Sequence, residues 1–265
     1  MTTEAIEVLE TANPRVLALV ATIPARQRFC ESLLKELEKQ SRKPDGVILV
    51  LDGYGELPAP TCELPVVATY RTPEPSGPGA RWLVATSPNI APDDIIVCID
   101  DDTMLQEAPG FIKALVVAIE SGNGAAAAMG KGVDYKAAPP GKFSRGDLIH
   151  GAGCGLTVRA KHLVGLQEFA AEIQTAGGPD ALGLLGDDDA LVSAHLWKTG
   201  VRVVHAKTGN IYAAPGSRST SQTAARLGQH QNLDAQKHAI QKLTGWPCFK
   251  VLPPPTVGAR PAVRS

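Results

Sequence analysis

No apolar run in this chain approaches the roughly 20 residues needed to cross a bilayer as a helix, so nothing in it reads as a membrane span. The first thirteen residues are acidic and lack the basic and apolar regions of a secretory signal. Aromatic residues are few, at 5%. The five cysteines, Cys30, Cys62, Cys98, Cys154 and Cys248, are scattered and odd in number. No pair of them has zinc-ligand or redox-motif spacing, which excludes a zinc module and a disulfide framework. They are expected to pack as small apolar residues with reduced thiols. There is no internal repeat. These absences together lead to an expected cytoplasmic protein.

With 265 residues and 44% hydrophobic content, the chain can bury a large core, as one large or two small domains. The net charge of -1 conceals a segregation. Residues 202–265 carry nine basic side chains against one acid, Asp234, and the first 201 residues carry 17 basic and 26 acidic groups. The C-terminal excess of +8 suits an anionic partner, or balances an acidic body across a solvated surface. Its basic residues stand among polar ones, with no apolar stripe of the kind that seats a helix on a membrane.

The most informative feature is the run Ile95-Ile96-Val97-Cys98-Ile99 followed by Asp100-Asp101-Asp102. The apolar run predicts a buried strand. Three acids stacked at its end repel one another unless a cation holds them, and oxygen-only ligands favour Mg²⁺ or Mn²⁺ over zinc. In an open α/β sheet, ligands bind beyond the carboxyl ends of the strands. The alternative is an acidic solvated turn. A second cluster, Gly186-Asp187-Asp188-Asp189, precedes a helical pattern at 190–199. Capping and the helix dipole need one aspartate there; three leave room for chemistry.

The remaining elements read as strands at 15–21, 46–51, 66–69, 125–129 and 201–204, with a glycine-rich run leading to a strand near 158. Helices are expected at 24–40, 80–87, 109–120, 161–175 and 220–243. Strands alternating with helices predict a mostly parallel sheet covered on both faces. The stretch after Pro253-Pro254-Pro255 reads as a tail.

This order of motifs resembles the GT-A fold of nucleotide-sugar glycosyltransferases, most closely the family 2 type, over residues 15–206. The motifs that carry the resemblance are Ala21-Thr22-Ile23-Pro24-Ala25-Arg26, Leu51-Asp52-Gly53-Tyr54, Gly77-Pro78-Gly79-Ala80-Arg81-Trp82, the Asp-x-Asp of Asp100-Asp101-Asp102, and Gly186-Asp187-Asp188-Asp189. The acidic turn at Asp52 departs from the family, which has two acids and a serine there. The resemblance implies a three-layer α/β sandwich at 15–206, a short extension at 1–14, a basic helical segment at 207–252 and a tail at 253–265. It implies a metal-dependent, inverting transfer from a nucleoside diphosphate-sugar, UDP first among donors, with Mn²⁺ or Mg²⁺ as cofactor.

Residue by residue, the resemblance implies Asp102 and Asp100 as metal ligands, with His205 as a third. Thr22, Arg26, Asp52, Arg81, Asp100 and Asp101 would bind the donor, Asp52 at the base and Arg81 at phosphate. Asp188 would be the general base, with Asp187 and Asp189 on the acceptor side. The basic segment, through Arg218 and Arg226, suits DNA carrying a hydroxymethylated base as acceptor; a glycan or lipid-linked saccharide is the competing acceptor. Two other classes remain open. A nucleotidyltransferase shares the sheet and the aspartates but usually has a glycine-rich first loop, and residues 21–28 contain no glycine. A non-catalytic nucleic-acid-binding module would use the basic segment and leave both acidic clusters unexplained.

Overall fold

The computed structural model describes residues 13–131, 151–217 and 233–246, apart from positions 75, 86, 123, 153, 179–180 and 182–186. Its centre is a seven-stranded sheet. The strands are β1 (Val16–Thr22), β2 (Gly46–Leu51), β3 (Val66–Arg71), β4 (Ile95–Asp100), β6 (Ala125–Ala127), β9 (Thr157–Arg159) and β10 (Val203–His205), in the order β10-β6-β9-β4-β1-β2-β3. All neighbours are parallel except β9, which runs antiparallel to both β4 and β6. This is the mostly parallel α/β, Rossmann-like architecture expected from the alternating pattern.

The strands are apolar on both faces because helices cover both. Along β1, Val16, Ala18 and Val20 face one core, and Leu17 and Leu19 the other. The first core is closed by α1 (Gln27–Leu37) through Cys30, Leu33, Leu34 and Leu37, and by α3 (Phe111–Glu120) through Phe111, Ile112 and Leu115. The second is closed by α2 (Arg81–Val84), α4 (Leu166–Gly177), α5 (Asp188–Lys198) and α6 (Leu233–Thr244). Helices on both sides of the sheet make three layers. With strand side chains alternating in direction, a single strand feeds both cores.

Two small ladders decorate the sheet's carboxyl edge. β5 (Thr103–Met104) pairs antiparallel with β11 (Tyr212–Ala213), and β7 (Gly130–Lys131) with β8 (Gly151–Ala152). The β5–β11 ladder draws the chain beyond β10 back to the aspartates: Ala214 N–H donates to the Asp102 carbonyl at 2.7 Å. Gly155 shows why a glycine stands between the ladders and β9. Its φ is +78°, and a Cβ there would lie 2.8 Å from Ala128 Cβ and 3.0 Å from Phe111 Cζ. Cys30 and Cys98 are buried, Cys62 and Cys154 partly so, and all four are free thiols. No helix among the described residues is long and apolar enough to cross a membrane.

Candidate active site

The site forms where the strand ends meet the start of α5. β4 delivers Asp100 at its last position, opposite Ala21 of β1. Asp101 and Asp102 follow in the turn to β5. Asp101 is buried and Asp102 largely so, whereas the Asp100 side chain is 46% exposed. Across the cleft, α5 begins with the second acidic cluster. Asp187 is its N-cap, accepting from Ala190 N–H at 3.0 Å. Capping is thereby done by one aspartate, and Asp188 and Asp189 stand in the first turn beyond it.

Two arginines join the clusters. Arg81, at the start of α2, is buried, yet all three of its nitrogens are engaged. Nε donates to Asp188 Oδ2 at 2.6 Å, one terminal nitrogen lies 2.5 Å from that same oxygen, and the other donates to Asp100 Oδ1 at 2.9 Å. Trp82 Nε1–H adds a third donor to Asp188 Oδ2 at 3.1 Å. These contacts all fall on Oδ2 and leave Asp188 Oδ1 outside them. Burial disfavours the Arg81 charge, but the charges of Asp188 and Asp100 outweigh it and hold the guanidinium well above its ordinary value. Arg26 ends the 3-10 turn Pro24–Arg26 that follows β1. Its guanidinium lies 3.0 Å from Asp101 Oδ1 and forms a second, shorter ion pair with Asp102 Oδ2.

Charge remains unbalanced. Asp100, Asp101, Asp102, Asp188 and Asp189 face two guanidinium groups. Burial pushes the Asp101 carboxyl up to about 6 against the pull of Arg26. Burial, then the neighbouring Asp188 and Asp100, raise Asp189 well above the carboxylate range. Asp101 Oδ2 is buried without a hydrogen-bond partner.

This donor set suits a hard divalent cation. It is all oxygen, it carries surplus negative charge, and it offers an exposed carboxylate at Asp100 and a partly exposed one at Asp102. Among the described residues, no group of three or more His, Cys, Asp or Glu is placed to hold a metal ion. Mg²⁺-type sites commonly use one or two carboxylates and take the rest from substrate phosphates and water. His205 ends β10, and β6 and β9 lie between it and β4. At the usual strand spacing, that is about 14 Å along the sheet from Asp100.

Thr22 ends β1, buried, and its carbonyl accepts from Asp52 N–H at 2.9 Å. Asp52 itself is buried and organises the loop before α2. Its carboxylate accepts from the Thr72 hydroxyl (2.9 Å), from Ser76 N–H and the Ser76 hydroxyl (both 2.6 Å), and from Gly77 N–H (3.2 Å). Asp52 thus aims the glycine-rich entry that carries Arg81. Arg218 and Arg226 lie outside the described residues.

Two participants escaped the sequence reading. Trp82 carries no assigned role there, yet it donates to Asp188. Its place beside Arg81 in the motif was the available signal. Gln236 on α6 is fully buried, and its Oε1 accepts from Asp187 N–H at 2.7 Å. Nothing local in the polar helix pattern singles it out. Lys237 Nζ, next to it, is 3.8 Å from Asp187 Oδ2.

No protein-family profile matches the chain, and no curated protein matches it. In fold it is similar to the structure of UTP-bound UGPase from Acinetobacter baumannii. That similarity has a TM-score of 0.51 and 13% identity, over 86% of this chain and 99% of that one. At that identity the likeness establishes the Rossmann-like α/β fold.

Proposed function

We propose that this chain is a nucleotide-sugar enzyme, and specifically a glycosyltransferase moving a sugar from a nucleoside diphosphate-sugar to an acceptor hydroxyl. The observation that carries the reading is the pairing of two acidic clusters across one cleft, with Arg81 bridging Asp100 and Asp188. Asp100 and Asp102 would hold Mn²⁺ or Mg²⁺, which when bound would offset the charge that develops on the leaving diphosphate. Asp188 would act as general base through Oδ1, while Arg81 and Trp82 fix the carboxylate through Oδ2. Direct in-line attack assisted by that base would invert the anomeric carbon.

Arg81 is committed to Asp188 and Asp100, so we assign it a positioning role in place of the phosphate contact suggested by the motif. Arg26, Thr22 and Asp101 line the donor side, and Asp52 would support the base-binding loop. Asp189 and Asp187 would lie toward the acceptor. The charge segregation supports a polyanionic acceptor, and DNA with a hydroxymethylated base fits it. That acceptor predicts duplex binding that weakens steeply with salt, and weakens further when Arg218, Arg226 and Lys237 are neutralised.

A nucleotidyltransferase is the second reading, favoured by the likeness to a UTP-bound UGPase. Melting shifts with Mn²⁺ separate the two. A larger shift with UDP-sugars than with UTP supports the transferase, and the reverse supports the nucleotidyltransferase. Asp102→Asn should abolish either shift.

A further inference from the structure

The two arginines of the site are not equivalent. Arg81 is saturated, with every guanidinium nitrogen on a carboxylate oxygen. Arg26 is not: its Nε is buried without a partner, and so is Oδ2 of Asp101, the carboxylate it pairs with. The Arg26 side chain is also more exposed, at 18% against 8%. Unpaired buried polar atoms mark an arrangement awaiting a better one. Asp102 is held in place through its carbonyl by Ala214 N–H. The Arg26 backbone is tied too, its N–H donating to the Ile23 carbonyl at 2.8 Å, so the member that can move is the long Arg26 side chain, at the end of a short 3-10 turn.

We propose that Arg26 is a built-in counter-ion of the cation site: its guanidinium closes over Asp101 and Asp102 when no metal is bound and is displaced when Mn²⁺ or Mg²⁺ arrives. The inference rests on reading Asp100 to Asp102 as a cation site. A divalent ion on Asp102 competes with the guanidinium that pairs with Oδ2 of the same carboxylate, and the two positive groups repel at a few ångströms. Metal binding and release of Arg26 are thus one event. The same exchange frees a guanidinium beside the cleft, where it can meet an anionic donor. Without metal, Arg26 keeps the acids from repelling one another.

The test is Mn²⁺ binding by the full chain, followed by calorimetry and by the electron paramagnetic resonance signal of free Mn²⁺, alone and with saturating UDP. Arg26→Gln removes the competing charge and should bind Mn²⁺ about tenfold more tightly than the parent. Arg26→Lys keeps the charge but loses the two-carboxylate bridge, and should fall between them. Asp102→Asn should lose binding. Equal or weaker affinity in Arg26→Gln, with binding still lost in Asp102→Asn, overturns the displacement and leaves the cation reading intact. Absence of Mn²⁺ binding in both the parent and Arg26→Gln overturns both. Should Arg26→Gln fail to fold by circular dichroism, Arg26→Lys decides: an affinity no tighter than the parent's refutes the proposal.

Discussion

The Arg81–Asp188 pair offers a quantitative check on how the site is held. Arg81→Met strands the Asp188 carboxylate, which keeps only the Trp82 N–H at 3.1 Å. Asp188→Leu strands the buried guanidinium with Asp100 alone. Removing one partner of a buried ion pair costs about 3–5 kcal/mol, because a buried charge is left uncompensated. For a chain of this size that corresponds to a fall in melting temperature on the order of 10 °C. Asp100 contributes little to the loss, since a half-exposed carboxylate is readily re-solvated. The double variant Arg81→Met/Asp188→Leu removes both charges and should recover about 2–3 kcal/mol relative to the sum of the single changes. Urea unfolding of the four proteins completes the cycle. Single variants that melt within 1–2 °C of the parent, or a strictly additive double variant, would refute the claim that this pair is desolvated and mutually dependent.

Further expectations address function, packing and pH. Asp188→Asn keeps an acceptor for Arg81 and Trp82, so it should stay folded yet lose roughly a hundred- to ten-thousand-fold in turnover with donor binding unchanged; if Asp189→Asn is the crippled variant, the base is the next residue along. Gly155→Ala should cost about 2 kcal/mol by thermal unfolding, since φ of +78° strains any side chain and Ala128 and Phe111 leave no room. Burial holds the His195 imidazole below its ordinary 6.5, aided by Lys198 and opposed by the His162 and Val164 backbone and by Glu168. The unfolded chain then takes up a proton that the fold refuses. Stability from this residue is therefore complete above about pH 6.5 and falls as pH drops toward the lowered native value. His195→Gln should show a shallower loss between about pH 7.5 and 5.5 than the parent, and parallel curves would contradict the burial argument.

The strands were legible because their apolar runs are short, β-branched and bounded by proline, glycine or acid. β1, β2 and β4 fall within a residue or two of expectation. Helix ends were less so: the start expected at residue 161 is a separate 3-10 turn, Ala160–Leu163, with α4 beginning at Leu166 after Gly165. The antiparallel insertion of β9 was not legible, because three residues carry no signal of direction. Nor was the β5–β11 ladder, built from two-residue strands.

In the site, both acidic clusters could be named from local sequence, since each sits at a strand end or a helix start. Their partners could not. Arg81 and Asp188 are 107 positions apart, and only the fold decides that they meet. The same holds for Asp52, which motif order assigns to the nucleotide and which the structure engages with Thr72, Ser76 and Gly77. Of the helix expected at 220–243, Leu233–Thr244 is α6, and residues 218–232 lie outside the described residues. The tail after residue 253 lies outside them as well.

The central claim is that the aspartate-lined cleft breaks the bond between a sugar and a nucleoside diphosphate. The direct measurement is the identity of the leaving group when a panel of UDP-, GDP- and TDP-sugars is incubated with the protein and Mn²⁺, read by phosphorus NMR. The account predicts a nucleoside diphosphate and free or transferred sugar from at least one donor, with none formed by Asp102→Asn. Sugar 1-phosphate together with nucleoside triphosphate, formed only when pyrophosphate is supplied, would contradict it.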